Sequence, residues 1–271
     1  MAVLPGGYGA VLFALLATLL CAVARRLIGK FLPAGGCARR YAGEVVCTFQ
    51  LVTGMLEGDV VMEENGLVAY MVYLWFLFVL LGFTFDDDCS ANLGLAWQAW
   101  LRGDIDATDA ISTSVAQVLG GQLAFPYAKR LWRTAPTARH GIKWQVMIQE
   151  QCSSALQASL QGGIVAEALA TLVYFAARRH LMPRGKMRSI AFDSTVQVVI
   201  IALGLEWTGM MFNPALAAAL TFNCRNHPVG EHLMVYWVSP LATIALLHAV
   251  TTRGPAIPVT NGTKKEEAKS L

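Results

Sequence analysis

The sequence is poor in charged side chains and has long runs without any. Only 14% of its 271 residues are Asp, Glu, Lys or Arg, whereas 55% are hydrophobic. Soluble domains carry charge on about a quarter of their residues, so this composition excludes an ordinary soluble protein. Apolar runs of about 20 residues predict membrane-spanning helices, because the strands of an outer-membrane barrel would show alternating hydrophobicity. We therefore interpret the chain as an integral protein of a lipid bilayer.

Strong charge of one sign is also missing. The net charge of +3 and the pI near 8.5 are ordinary for a membrane protein with basic cytosolic loops. We expect no nucleic-acid partner.

The cysteines lack the short paired spacings of zinc sites and small disulfide scaffolds. They are Cys21, Cys37, Cys47, Cys89, Cys152 and Cys224. Because most of them lie within or beside apolar segments, we expect the cysteines to act as small buried hydrophobic residues that form neither a metal site nor a disulfide framework. A reactive thiol is the alternative at Cys224, but Arg225 is its only evident charged neighbour, so a packed structural thiol is favoured.

Motifs of membrane-embedded enzymes are missing as well. The chain contains no His-Glu-x-x-His and no Gly-x-Ser-x-Gly, and its aspartate clusters at 86–88 and 104–109 fall between apolar segments. The sequence therefore predicts a protein that is not an enzyme and holds no cofactor.

Seven apolar segments are long enough to consider as membrane helices. They cover residues 9–24, 41–56, 66–85, 110–132, 154–177, 190–205 and 233–250. No basic residue precedes the first, unlike a cleaved signal peptide, so we expect an extra N-terminal helix with a cytosolic basic flank that begins at Arg25. An acidic turn over residues 57–64 separates the second and third segments. Two shorter segments, at 91–101 and 208–224, cannot span.

Basic residues mark the loop before residue 41, the loop near residue 184 and the tail as cytosolic. The basic stretch 129–143 does not fit this alternation. The polar tail is expected to be disordered and cytosolic, so its Asn261-Gly262-Thr263 acceptor site should carry no glycan.

An internal repeat organises the chain. In each half a Glu-x-x-x-Thr segment precedes an Asn-led short segment: Glu44 lies 48 residues before Asn92, and Glu167 lies 46 before Asn213. Each half has three full spans, an odd number, so the second must insert upside down, which gives inverted repeats. The predicted units are an N-terminal helix and loop (1–40), the first repeat (41–133), a connecting loop (134–153), the second repeat (154–250) and a tail (251–271).

The run TGMMFNPALAAALTFNC places a helix start inside an apolar segment. Pro214 suits a first helical position and Asn213 the cap before it. Irregular backbone at membrane depth is tolerated only where it is buried in protein or lines a cavity. Two half-helices entering from opposite faces would bring together two positive dipole ends and the amides of Asn92 and Asn213, which repel cations and donate to passing oxygens. The pattern predicts a narrow pore for neutral hydroxylic solutes.

These motifs resemble the aquaporin family. The resemblance rests on Asn213-Pro214-Ala215, the preceding Thr208-Gly209, both Glu-x-x-x-Thr helices and VYWVSPL at 235–241, and it spans residues 41–250. It implies an all-α integral membrane fold: a right-handed bundle of six tilted transmembrane helices plus two re-entrant half-helices in inverted repeats, here with an extra N-terminal helix. In that fold Glu44 and Glu167 accept backbone N–H groups of the half-helix loops, so we assign them structural support rather than proton chemistry.

The first box departs from the family pattern, because it reads Asn92-Leu93-Gly94. Leu93 removes a pre-organised helix start, so we expect a bent or looser first half-helix that Asn92 can still cap. Gly94 fits close contact between the half-helix tips or a simple turn. The degenerate box and Cys224, nine residues after Ala215, resemble the unorthodox or superaquaporin branch. That resemblance implies a homotetramer in an intracellular membrane, often the endoplasmic reticulum, with the plasma membrane as the alternative.

The resemblance also locates a selectivity filter. An Arg follows the second box in water-selective members, and that position here is Leu216; the usual His position is Ile201, the loop position is Met210, and the position on the second span is near Leu74. These side chains offer neither charge nor hydrogen-bond donors. We expect an apolar constriction that admits solutes of glycerol or hydrogen peroxide size and conducts water poorly.

Two functions remain open from the sequence. One is a channel for passive transport of water and small neutral solutes. The other is a poorly conducting or non-conducting intracellular membrane scaffold that keeps the fold for assembly.

Overall fold

The structure is a computed structural model that describes residues 6–85, 89–149, 152–222, 224 and 228–252. The expectations made for Asp86–Asp88, for Arg225 and for the tail beyond residue 252 lie outside these residues.

The described ranges contain ten α-helices. They are α1 Gly6–Phe31, α2 Cys37–Thr84, α3 Leu93–Leu101, α4 Ala107–Arg133, α5 Ala138–Gln149, α6 Leu160–His180, α7 Lys186–Thr208, α8 Pro214–Thr221, α9 Val229–Leu233 and α10 Ser239–Thr252, with a π-helical segment Met234–Val238 between the last two. By length and composition α1, α2, α6, α7 and the continuous α9–α10 unit can cross a membrane. Helix α4, with 27 residues, also exceeds the length of about 20 residues that a span needs. The all-α, multi-pass membrane architecture is confirmed.

Helix α2 is two helices joined at Gly66. Gly66 has φ 81°, which favours glycine because other residues are strained there. We name residues 37–65 the first arm and residues 67–84 the second arm. The acidic turn expected over residues 57–64 is wrong, because the first arm stays helical through this stretch and its carboxylates have partners on α5.

The connecting loop between the repeats contains a helix, α5, that was not expected from its polar sequence. Arg139 of α5 pairs with Glu63 at 2.7 Å, and Lys143 pairs with Asp59 at 3.2 Å. These pairs lie at the end of the first arm and neutralise part of the basic stretch 129–143, which did not fit the expected alternation.

A buried polar cluster fixes α5 more firmly. Glu57 is fully buried; it accepts a hydrogen bond from Trp132 Nε1 at 2.9 Å, and its second oxygen lies 2.9 Å from His140 Nε2. The other ring nitrogen of His140 lies 2.6 Å from the Thr137 hydroxyl. A buried carboxylate is very costly without such partners, so this cluster holds α2, α4 and α5 together.

The bundle therefore has two distinct ends. Arg40 at the start of the first arm pairs with Asp109 at the start of α4, whereas Glu63 and Arg139 lie at the far end of the first arm. We name the end with Arg40 the basic face and the end with Glu63 the opposite face. The chain alternates between them as inverted repeats require.

Helix α1 packs along the first arm and contributes a buried cation. Arg25 is only 7% exposed and donates to Gln50 Oε1 at 2.7 Å, while Gln50 Nε2 donates to the hydroxyls of Thr18 and Thr84, each at 3.1 Å. Arg25 therefore belongs to the buried face of α1, which continues to Phe31, and not to the basic flank expected to begin there; the cytosolic placement of that flank stays a prediction.

Helix α6 starts six residues later than the apolar pattern indicated. Ser159 caps it by accepting the N–H of Gly162 at 3.3 Å, which makes residues 154–159 an irregular entry segment rather than helix.

Four of the six cysteines form disulfides, Cys47–Cys89 and Cys152–Cys224. The expectation of small unpaired hydrophobic thiols is wrong for these four, and Cys224 is neither a reactive nor a packed free thiol. The partners are separated by 42 and 72 residues, so local spacing gave no signal and only the folded topology brings them together.

Candidate pore

Two short helices, α3 and α8, start next to each other in the middle of the bundle. Asn92 caps α3 by accepting the N–H of Gly94 at 2.9 Å, and Asn213 caps α8 by accepting the N–H of Ala215 at 3.2 Å. Pro214 occupies the first position of α8. Helix α3 is continuous from Leu93 to Leu101, so the bend or loosening expected from the missing proline is absent from it.

The Asn213 amide joins the two boxes. Its Nδ2 donates to the Ala91 carbonyl at 2.8 Å, and its Oδ1 accepts the N–H of Leu93 at 3.3 Å. A proline at residue 93 would have no N–H to donate. The departure from the family pattern therefore adds a hydrogen bond between the repeats. An amide nitrogen carries two hydrogens, so Asn213 keeps one for another acceptor.

Gly94 makes room for neighbouring helices. A Cβ at this position would lie 2.9 Å from Ile244 Cδ1 and 3.0 Å from Phe175 Cζ. The close approach is thus to side chains of α10 and α6, where the sequence had suggested the other half-helix tip or a simple turn.

Glu44 holds the loop before α3. One carboxylate oxygen accepts the backbone N–H of Ser90 at 2.9 Å and its hydroxyl at 2.8 Å; the other accepts the N–H of Ala91 at 2.9 Å and Gln117 Nε2 at 3.1 Å. All four contacts satisfy a buried carboxylate that would otherwise be costly at membrane depth.

Glu167 plays the matching role before α8. It accepts the Thr208 hydroxyl at 2.7 Å, the N–H of Met211 at 3.0 Å and the N–H of Phe212 at 2.8 Å. Tyr236 fixes the same loop by donating to the Thr208 carbonyl at 2.8 Å. The carboxylates thus occupy equivalent places in the two repeats.

Each Asn follows a residue in the left-handed region. Ala91 has φ 49° and Phe212 has φ 33°. A residue other than glycine pays about 1–2 kcal/mol in this region. Because Glu44 and Glu167 bind the N–H groups of these two residues, they hold the strained turns that aim the capping amides.

The remaining members of the two Glu-x-x-x-Thr motifs are buried without polar partners. Within the described residues, neither the Thr48 nor the Thr171 hydroxyl has a hydrogen-bond partner.

A cavity of about 720 Å³ extends from the capping amides to the basic face. Asn92 and Asn213 line its inner part, and cations line its outer part at the basic face. The outer residues include Arg102, Arg178, Arg179 and Lys186. Arg178 is paired with Asp193 at 2.6 Å, so part of this positive charge is neutralised.

Three of the four expected filter residues line this cavity: Ile201, Met210 and Leu216. Leu74 is fully buried and is not among the lining residues, whereas Phe78, one turn further along the second arm, is among them. The wall near the expected filter is therefore apolar and includes an aromatic ring.

Met210 sits in a notch of α7. Gly204 interrupts that helix with φ −143° and ψ 19°, and a Cβ there would lie 1.8 Å from Met210 Cε. Because Gly204 has no side chain, the Met210 side chain can occupy this space.

Further cavity residues follow a helical period that the sequence contained. Leu51 and Met55 lie four residues apart on the first arm, and Phe78, Leu81 and Phe85 recur at three and four on the second arm and its C-cap. This spacing marks one face of a helix. In a chain that is apolar on all sides, however, the period does not distinguish a face lining a cavity from one facing lipid.

Comparison with known proteins gives the family. No family model matches the chain. It is 30% identical over 233 residues to aquaporin-12 of Mus musculus, covering 84% of this chain and 79% of that protein. It is 24% identical over 216 residues to aquaporin-11 of Milnesium tardigradum, covering 80% and 77%.

The fold has a solved counterpart. The X-ray structure of the aquaglyceroporin from Plasmodium falciparum superposes with a TM-score of 0.59 at 15% identity, covering 81% of this chain and 97% of that one. Together with the inverted repeat and its two capped half-helices, these similarities show that the chain belongs to the aquaporin family of membrane channels, in its superaquaporin branch.

Proposed function

We propose that the protein passively conducts water and small neutral solutes, such as glycerol and hydrogen peroxide, between its two half-helices. The observation that carries this proposal is the cavity that reaches from the basic face to both capping amides, with Ile201, Met210 and Leu216 in its wall. The hydroxyl oxygens of such a solute can accept hydrogen bonds from an amide, and the rest of the molecule is small or apolar enough to pass along an apolar wall.

The half-helices supply the barrier to ions. The N-termini of α3 and α8 meet at the amides of Asn92 and Asn213, and each helix start carries partial positive charge. Because Leu216 replaces the arginine found in water-selective members, these helix dipoles are the main barrier to cations and protons. Neutral solutes are not subject to this repulsion.

The rest of the site keeps this geometry. Leu93, Gly94, Pro214 and Ala215 form the first turns of the half-helices. Glu44 and Glu167 fix the preceding loops, as described above. In this proposal none of these residues takes part in chemistry, and the protein acts as a channel rather than an enzyme.

Assembly and location are part of the same proposal. We propose a homotetramer in an intracellular membrane, the endoplasmic reticulum, on the basis of the resemblance to the superaquaporin branch. Native mass spectrometry from mild detergent tests the assembly, and a monomer would contradict it. Light microscopy of a tagged chain against organelle markers tests the location, and plasma-membrane labelling would contradict it.

Stopped-flow flux through proteoliposomes tests the function. Wild type should exceed protein-free vesicles for glycerol and peroxide, and Asn213→Asp should abolish the excess. A carboxylate at this position neutralises the dipole end and turns the donor to the Ala91 carbonyl into a repelling acceptor. The matched control is Asn65→Asp, an exposed position beside the α2 break, which should conduct normally.

The outcomes separate the two functions left open by the sequence. Equal flux in wild type and Asn213→Asp would show that solute does not pass this point. Wild-type flux no greater than that of empty vesicles, for every solute, would favour the non-conducting scaffold.

A further inference from the structure

The two disulfides lie toward opposite ends of the bundle. Cys89 lines the cavity that opens at the basic face, and its partner Cys47 is buried on the first arm. Cys224 follows α8 on the side of the opposite face, where Cys152 precedes α6. By the positive-inside rule, the basic face looks into the cytosol. Disulfides exposed to the reducing cytosol are rare, and those that occur are usually transient or redox-sensing.

We propose that Cys47–Cys89 is a reversible thiol–disulfide switch on the first pore box, reduced by small thiols that enter from the basic face. Cys152–Cys224, in the oxidising compartment, is a permanent structural bond. The effect of the switch on flux rests on the proposed function, but its chemistry and its effect on the loop do not.

The contacts define which sulfur reacts. An incoming thiolate reaches Cys89 Sγ, because Cys89 lines the cavity, and forms a mixed disulfide there while the bond to Cys47 breaks. Cys47 leaves as a thiolate, and Arg25 Nη1, which lies 3.9 Å from its sulfur, stabilises the charge that develops. A second thiol then releases Cys89, so two small thiols become one small disulfide and two protein thiols. Reoxidation by hydrogen peroxide forms the protein disulfide again and releases two waters.

The bond supports a loop that lacks a proline. Cys89 directly precedes Ser90 and Ala91, whose N–H groups bind Glu44. The disulfide and Glu44 therefore fasten one loop at two points, and together they supply the order that a proline at residue 93 would give by fixing φ. After reduction Glu44 holds the loop alone. The strained turn at Ala91 can then relax, and the hydrogen bond from Asn213 to the Ala91 carbonyl weakens.

The first experiment locates the reaction without measuring flux. Wild-type protein in sealed vesicles is treated on one side with a membrane-impermeant phosphine, which reduces a disulfide with one water and becomes its oxide. Free thiols are then tagged with a maleimide and identified by mass spectrometry. Cys37 is free and exposed next to the basic start of α2, so its tagging from outside reports which vesicles present the basic face.

Phosphine on the basic face should expose Cys47 and Cys89, and phosphine on the opposite face should expose only Cys152 and Cys224. Resistance of Cys47–Cys89 to phosphine on the basic face, under conditions that tag Cys37, would overturn the proposal.

The second experiment follows the loop and the pore. Reduction from the basic face should raise amide hydrogen exchange several-fold over residues 89–95, leave residues 209–216 unchanged, and lower glycerol flux several-fold. Cys89→Ser should reproduce the reduced state, and adding Leu93→Pro should restore part of the slow exchange. Unchanged exchange over residues 89–95 after complete reduction would also overturn the proposal.

Failure of the channel is distinguishable from failure of the switch. If oxidised wild type shows no flux above empty vesicles while tagging and exchange respond as expected, the proposed function is wrong and the switch stands. If oxidised wild type conducts and reduction changes neither exchange nor flux, the switch is wrong and the channel stands.

Discussion

Gly204→Ala should narrow the pore by displacing one methionine. The new Cβ would lie 1.8 Å from Met210 Cε, 2.8 Å from its Cγ and 2.9 Å from its Sδ. Carbon atoms pack at about 3.5 Å or more, so the methyl group must move by about 1.7 Å, the difference between 3.5 and 1.8. The new methyl group fills the notch that now holds part of the Met210 side chain, and Met210 also lines the cavity. The displaced end therefore moves toward the pore.

This displacement is more than half of the diameter of a water molecule, which is about 2.8 Å. We expect glycerol flux to fall by more than water flux, because the larger solute depends more steeply on the width of the constriction. Stability should change little, since the end of a flexible side chain can move and alanine tolerates the φ of −143° at this position. Stopped-flow light scattering in proteoliposomes gives both permeabilities, and a thermal melt of the detergent-solubilised protein checks the fold.

Two controls make the experiment specific. Gly230→Ala adds the same methyl group where no atom of the described residues lies within 4 Å, and it should conduct like wild type. Met210→Ala in the Gly204→Ala background removes the displaced side chain and should restore glycerol flux. Unchanged glycerol flux in Gly204→Ala, or a loss that persists in the double variant, would refute this reasoning.

Three further changes test the buried polar contacts and the structural bond. Glu167→Gln replaces an acceptor of three hydrogen bonds by an amide whose NH₂ cannot accept, so the melting temperature should fall by the equivalent of about 1–3 kcal/mol. The control Glu206→Gln, on the exposed side of α7, should leave the melting temperature unchanged. Equal melting temperatures for the two variants would contradict the support role of Glu167. His140→Ala removes one of the two side-chain partners of the buried Glu57 carboxylate and should cost about 3–5 kcal/mol in a denaturation series. A loss below 1 kcal/mol, on the scale of an exposed pair, would show that this contact does not hold α5 in place. Cys152→Ser removes the disulfide between residues 72 apart and should lower the free energy of unfolding by about 4 kcal/mol. Cys37→Ser changes an exposed free thiol and should leave the free energy of unfolding unchanged. Similar melting curves for the two variants would show that the Cys152–Cys224 bond contributes no stability.

The sequence predicted the parts of the fold that depend on local rules. Apolar length gave the membrane spans, and the Asn213-Pro214 pair gave the start of α8, because capping and proline geometry act over neighbouring residues. The internal repeat then paired Glu44 with Asn92 and Glu167 with Asn213, which anticipated two equivalent loops. The structure places both carboxylates against the residues just before each Asn.

Contacts between distant segments could not be predicted in this way. Because Glu57 is charged, the sequence indicated a turn there. In the structure Glu57 lies within a helix, where Trp132 and His140 satisfy its buried carboxylate. The partner of Cys224 lies 72 residues away, so no spacing rule applied. The resemblance placed the filter position of the second span near Leu74, whereas in the structure Leu74 is buried and Phe78, one turn further on, lines the cavity.

The hydrogen bonds between Asn213 and the first box have a consequence for biogenesis. The Leu93 N–H and the Ala91 carbonyl both bind the amide of Asn213, so they meet their partner only after 120 and 122 further residues have been synthesised. The first repeat therefore leaves the ribosome with the tip of its half-helix unpaired inside the membrane. It becomes complete when the second repeat inserts from the other side. A chain truncated before residue 213 would be left with this exposed polar backbone, and membrane quality control should recognise it as unfinished.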